Sequence, residues 1–351
     1  MTSSPSDLSF DAAHRDAVQP GMARTRITVA TWDHDRAVPV LNGDVPVPGF
    51  EVEPHVLPTT QLFPIAVNEA RFDVTELSLS SYMLQVSRGT CAYTAIPVYL
   101  ARAFRHNGFF TRAGSGIRTL ADLKGRTVGV PEYQMTAALW MRGILKDDHG
   151  IDATDLTWRT GALDQGVRNE RLELDAPPNL SITPIAAGET LQDLLLSGQV
   201  DALLAPNPPR AFRDGDPRII RILPDFQGAE EDYHRRTGFF PIMHLIAVKK
   251  DLVAAHPGLP RALFDAFSAA RDIALTRLEE VWLGSANRLS LPWLNAAMER
   301  TRGAMGRHYW PYGFRAARAE LETACRYSVE QHLSRRALTP EELFYPDLLD
   351  T

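Results

Sequence analysis

Between about Arg112 and Thr237 short apolar runs alternate with amphipathic ones, and this alternation constrains the fold more than any other feature. "RTVGVP" reads as a strand. From Gln134 onward Ala138, Met141 and Leu145 fall at helical spacing. "LTWRTG" is a further strand, and "ETLQDLLLSGQVDALLAPN" is a helix followed by a strand. Strands that alternate with helices imply a parallel α/β lobe. The chain has 351 residues, room for a second lobe of ordinary size. Residues 25–111 and 238–351 are expected to supply it, with helices at the C-terminal end, so that 112–237 is an inserted lobe.

The flanks carry their own signals. "TRITVATW" alternates as a strand does, and a Pro- and Gly-rich loop follows it from Asp33. "FEVEPHVL" is strand-like, and "TTQLFPIAVNEARFD" reads as a helix despite Pro64. "FDVTELSLSSYMLQVSRG" reads as a strand running into a helix near Ser80. In "IPVYLARAFRHNGFF", Ile96, Val98 and Leu100 alternate at strand period, and Arg102, Phe104 and His106 would continue that face. "FFPIMHLIAV" is a return strand, and "LTPEELF" opens on a capping box from Thr339 to Glu342.

Composition excludes several functions. Hydrophobic residues make up 44% of the chain, enough to bury a core. The net charge of −6, with no basic run, argues against nucleic acid. No apolar run approaches the roughly 20 residues that span a bilayer. Residues 1–24 read as a mobile polar lead-in without a secretory h-region, and that argues against export. The two cysteines, Cys91 and Cys325, have no CxxC spacing. Neither a disulfide framework nor a zinc–thiolate site is expected, and the expected compartment is the cytoplasm.

The order "DLKGRTVGVPEY", "LLLSGQVDALLAP" and "IMHLIAVKKDLVAAHPGLPRALFDAF" resembles the type II periplasmic binding protein fold. That resemblance implies two α/β lobes joined by crossover strands, with ligand in the cleft between them. Within that fold, "FDVTELSLSSYM", "IPVYLARAFRHNGFFTR", "LKGRTVGVPEYQMTAALWMRGIL" and "WPYGF" resemble the 4,5-dihydroxyphthalate decarboxylase family. The family implies ring protonation and loss of carbon dioxide from a hydroxylated phthalate, for instance 4,5-dihydroxyphthalate to 3,4-dihydroxybenzoate. No cofactor or metal is expected. The expected partner is the small aromatic acid, with neither nucleic acid nor membrane, and a homo-oligomer is left open.

Such chemistry needs a base for the phenol, an acid facing the ring carbon, and cations for carboxylate. On the resemblance, "IPVYLARAFRHNGFF" ends the first sheet near the cleft mouth and crosses over at "FFTR". Arg102 and Arg105 then supply forks for a carboxylate, with Arg36 as a third candidate. His106 is the expected proton donor. Glu76, where a strand meets a helix, could take a phenol proton or orient a histidine. His244 is open between core and cleft, and His34, between Asp33 and Asp35, between loop tip and site. Glu132 would repel a carboxylate and is assigned proton transfer or a hydroxyl contact. Ser80 and Ser81, with Tyr133 and Gln134, sit near helix starts that favour an anion. Trp158 and Trp310 could stack on a ring or belong to the core. A metal reading would use Asp33, His34, Glu76, His106 and His244, but no tight spacing supports it. The rival functions are a transporter's solute-binding protein and a chorismate-dehydratase type of enzyme on the same fold.

Overall fold

The alternation is realised as two separate sheets in the computed structural model, which describes residues 24–284 and 288–351. The expected lead-in therefore lies, through residue 23, outside the described residues. The first sheet holds β1 (Thr25–Thr31), β2 (Phe50–Val56), β3 (Val74–Ser78), β4 (Tyr93–Arg102) and β11 (Ile242–Lys249), in the order β2-β1-β3-β11-β4. The second holds β5 (Phe109–Arg112), β6 (Thr127–Val130), β7 (Thr157–Thr160), β8 (Ile182–Pro184), β9 (Ala202–Leu204) and β10 (Ile219–Arg221), in the order β10-β5-β9-β6-β7-β8.

Each sheet is parallel except for one strand. β11 runs antiparallel to β3 and β4, and β5 runs antiparallel to β9 and β10. Each of these is the strand formed just after the chain has passed from the other sheet. β11 therefore starts beside the carboxyl ends of β3 and β4, where open α/β sheets place their ligands.

Three sequence expectations change. β4 ends at Arg102, and His106 falls in a single 3-10 turn, His106–Gly108. "FFTR" is already a strand of the second sheet, so the passage between sheets lies at 103–108, and the position 111/112 falls inside β5. The passage is narrow: a Cβ built on Gly108 would lie 2.7 Å from the backbone oxygen of Ala205. The one-faced apolar period of β4 also proves incomplete, because Tyr93 and Tyr99 are buried as fully as Ile96 and Val98. A sheet packed on both faces loses its period-two signal.

The helix Thr136–His149, expected from Gln134, begins two residues later, after Met135. Its first ten residues are buried, and Trp140 Nε1 donates to the Ile242 carbonyl at 3.0 Å, linking it to β11. One apolar cluster includes residues of both sheets, among them Val98, Trp140, Trp158 and Leu245. A smaller one gathers Phe110, Leu194 and Leu203. Among the described residues no helix is long and apolar enough to cross a membrane.

Because the atom facing Gly108 is backbone and cannot swing away, Gly108→Ala should destabilise the protein by about 1–3 kcal/mol through overpacking. Urea unfolding of the variant against the parent measures it, and equal midpoints would show that the passage has slack.

Candidate active site

Glu76 is the centre of the site, and its position follows from sheet register. Ile246 of β11 lies opposite Glu76, and His244 lies opposite Ser78. Residues two apart in a strand share a face, so Glu76, Ser78 and His244 project together. β1, on the other side of β3, delivers Trp32 and His34 just past its end.

The Glu76 side chain has 0% exposure, and its carboxylate accepts three hydrogen bonds. Trp32 N–H donates at 2.9 Å, His34 Nε2 at 3.0 Å and His244 Nδ1 at 2.6 Å. Burial alone would raise its pKa, but the bonds from His244 and His34 outweigh it and hold the carboxyl well below the usual range.

The tautomers follow from Arg36. Its Nη2 donates to His34 Nδ1 at 3.1 Å, and a guanidinium cannot accept, so His34 carries its proton on Nε2. His244 spends its Nδ1–H on Glu76, which leaves Nε2 for the cavity that His244 lines. Burial lowers the His244 pKa more than the Glu76 contact raises it, and His34 and Arg105 add to the lowering.

His34, Glu76 and His244 also bring ligand atoms within 4.8 Å of one another, as a metal site would. The donor set argues otherwise. A metal on His34 Nε2 would force the proton to Nδ1, against the Arg36 N–H already pointing there. An ionised carboxylate that orients two imidazoles accounts for the three without a cation.

The cavity, about 460 Å³, is within the usual range for small ligands. Trp32, Phe63, Ser78 and His244 line it from the first sheet's side; Glu132, Thr136, Arg168 and Arg171 line it from the second's. Arg105 enters from the passage between sheets, its Nε donating, among the described residues, to Met243 Sδ at 3.2 Å. Burial lowers its pKa to about 10 against the pull of Glu230, so it stays cationic at neutral pH.

The structure thus brings together His34, Glu76, His244, Arg105 and Glu132 of the residues singled out in the sequence, and corrects the others. His106 is buried against the Tyr233 ring, 5.2 Å between centroids, and does not line the cavity. Burial pushes its pKa down to about 4. Arg102 is consumed by Glu320 at 2.9 Å and the Phe240 carbonyl at 2.7 Å, an ion pair inside the fold. Arg36 braces His34, donates to the Leu100 carbonyl at 2.7 Å and stacks over Trp310 at 4.0 Å. Trp310 is occupied there, and Trp158 is core, donating to the Ala153 carbonyl. Ser80 and Ser81 are fully buried against Thr136 and Gln134. Tyr133 packs beneath Arg142, and Gln134 is fully buried. Glu132 is not free for proton transfer, because Arg168 and Arg171 hold its two oxygens at 2.6–2.7 Å. Sequence reasoning missed those two arginines, whose signal was "GVRNERLE" in a loop; it also missed Ser78 and Thr136, whose hydroxyls meet at 2.8 Å.

No protein-family model matches the chain. A 4,5-dihydroxyphthalate decarboxylase of Comamonas testosteroni is 36% identical over 94% of this chain and 99% of its own. One of Pseudomonas putida is 36% identical over 62% of this chain and 84% of its own. Among solved structures, the periplasmic aliphatic sulphonate binding protein SsuA from Escherichia coli matches with a TM-score of 0.54 at 12% identity, over 93% of this chain and 92% of that one. A mutant of the desulfurization enzyme DSZB in complex with biphenyl-2-sulfinic acid matches with a TM-score of 0.51 at 18% identity, over 93% and 98%. Those structures speak to the fold alone, which is two-lobed and periplasmic-binding-protein-like.

Arg102→Ala should cost about 3–5 kcal/mol of stability, since among the described residues it leaves the buried Glu320 carboxylate without a countercharge, held only by the Ile242 N–H. His106→Gln, remote from the cavity, should leave turnover per folded molecule near that of the parent. Thermal melts and steady-state rates test the pair. A stable Arg102→Ala protein, or an inactive but folded His106→Gln protein, would return those residues to the site.

Proposed function

The chain belongs to the 4,5-dihydroxyphthalate decarboxylase family and is a carboxy-lyase acting on an aromatic acid; we propose that His244, oriented by Glu76, is its proton-transfer group. The observation that carries this reading is the 2.6 Å bond from His244 Nδ1 to a fully buried carboxylate, with Nε2 left for the cavity. The proposed substrate is 4,5-dihydroxyphthalate, after the names of the relatives.

Ring decarboxylation places an electron pair on the carbon that loses the carboxylate. The hydroxyl para to that carboxylate gives its proton to solvent, pushes electron density onto the same carbon while deprotonated, and takes a proton back after carbon dioxide has left. Charged His244 then donates its Nε2–H there, giving a dienone with a tetrahedral carbon. The carbon–carbon bond to the carboxylate breaks, its pair restores the aromatic ring, and carbon dioxide leaves. One proton is consumed per turnover, and His244 regains it from solvent. Glu76 stabilises the imidazolium while it exists. Arg105 draws the anionic acid into a desolvated cavity, and the anion in turn favours the charged form of His244. Two cysteines held as free, buried thiols suit a reducing compartment, and a cytoplasmic location belongs to the same proposal, to be checked by cell fractionation.

Two measurements test the reading. Purified protein should release carbon dioxide from 4,5-dihydroxyphthalate, and His244→Gln should lower kcat by about 10²- to 10⁴-fold while substrate still binds. The acid must be protonated to act, so kcat/KM should fall as pH rises past the His244 pKa of the free enzyme, below the ordinary imidazole value. Glu76→Gln removes the charge that favours imidazolium and should move this fall to lower pH. A profile that Glu76→Gln leaves in place would dismiss the pair as the acid.

A further inference from the structure

The cavity holds positive charge that the mechanism above does not use. Three guanidiniums, Arg105, Arg168 and Arg171, and one carboxylate, Glu132, line it. Two positive charges are therefore left in excess, which matches a dianion rather than a monoanion. Glu132 is buried, and its Oε1 is taken by Arg168 and its Oε2 by Arg171 Nε at 2.6 Å. With both oxygens engaged it acts as a bracket for the two arginines rather than as a repelling group.

Arg171 is the better placed of the two. Its side chain is 9% exposed, against 32% for Arg168, so its charge lies in poorly solvated surroundings where an anion is held most strongly. Its Nε–H is spent on Glu132, and among the described residues its enclosed Nη1 has no hydrogen-bond partner. A buried guanidinium donor left unpaired is costly, and a ligand oxygen would remove that cost. The position relative to His244 is suitable. The Arg171 guanidinium lies 5.3 Å from the centroid of the Phe63 ring, and the His244 ring lies 4.8 Å from the same centroid on an edge-on approach. Both groups therefore border one aromatic wall, the Phe63 ring. Met135, Thr136 and Ala137, at the start of the 14-residue helix Thr136–His149, line the same cavity and add a positive helix end.

We infer that Arg171, bracketed by Glu132, binds the carboxylate that the substrate keeps, and that this contact makes the enzyme selective for aromatic ortho-dicarboxylates over monocarboxylates. The inference rests on the decarboxylase reading for the identity of the ring, but it concerns binding and is measured without turnover. Arg171 is a specificity-determining residue on this assignment, and Glu132 is its positioning residue.

The test is the ratio of inhibition or dissociation constants for benzoate and phthalate, two unreactive probes that differ by one carboxylate. Wild-type protein should prefer phthalate by about 10-fold or more, the worth of one charge-assisted contact. In Arg171→Gln the second carboxylate gains nothing, so the ratio should collapse toward one whichever site benzoate chooses. Arg171→Lys, which keeps a charge but loses the fork, should give an intermediate ratio, and it carries the test alone if Arg171→Gln does not fold. A wild-type ratio near one, or a preference that persists in the variants, overturns the inference. Carbon dioxide release is assayed separately. A wild-type protein that shows the ratio but no turnover would overturn the decarboxylation mechanism and leave the dicarboxylate site standing.

Discussion

A carboxylate with no exposed surface has to be met by donors, and Glu76 draws them from both neighbouring strands of its sheet. An unpaired buried charge would cost several kcal/mol, so the fold tolerates Glu76 only with Trp32 N–H, His34 and His244 all in place. Each of those bonds then does something further. The bond to His244 turns Nε2 toward the cavity. The bond to His34 is kept in register by Arg36, which is itself held on the Leu100 carbonyl and the Trp310 face. A chain of contacts that begins at one buried oxygen thus ends at the strand terminus of β4 and the aromatic segment "WPYGF".

The reversed direction of β11 matters as much as its composition. Had the returning strand entered parallel to β3, His244 would lie at the far end of the sheet, away from Ser78. Running antiparallel, it begins where β3 ends, and the histidine near its start reaches the cavity. The passage at 103–108 has a comparable effect. It carries Arg105 into the cavity but turns His106 back toward Tyr233, so neighbouring residues serve different ends. The arginine–glutamate bracket of Glu132 complements this from the second sheet, placing fixed positive charge opposite the histidine.

Much of the fold was legible because its signals are local. The capping box from Thr339 to Glu342 forms as its spacing suggested, and the helix over Thr59–Glu69 tolerates Pro64. β4 was readable as a strand but not as one buried on both faces. Its end was misjudged because Arg102, assigned to a substrate carboxylate, is instead matched by Glu320 more than 200 positions away. A charged residue in sequence says nothing of whether a distant partner will let it be buried. His106 failed for the same reason: adjacency to Arg105 in sequence carried no information about which side of the passage each would face.

What the sequence determined by itself was the α/β alternation, the family resemblance, and the set of residue types from which a decarboxylating site could be drawn, Glu76 and His244 among them. These depend on periodicity and on short motifs, which are properties of neighbours along the chain. The tertiary structure alone decided which histidine meets the carboxylate, which nitrogen of each ring bears the proton, and which arginines keep a free N–H. Those outcomes depend on strand register and on long-range pairing, where a displacement of one residue turns a side chain to the opposite face of the sheet.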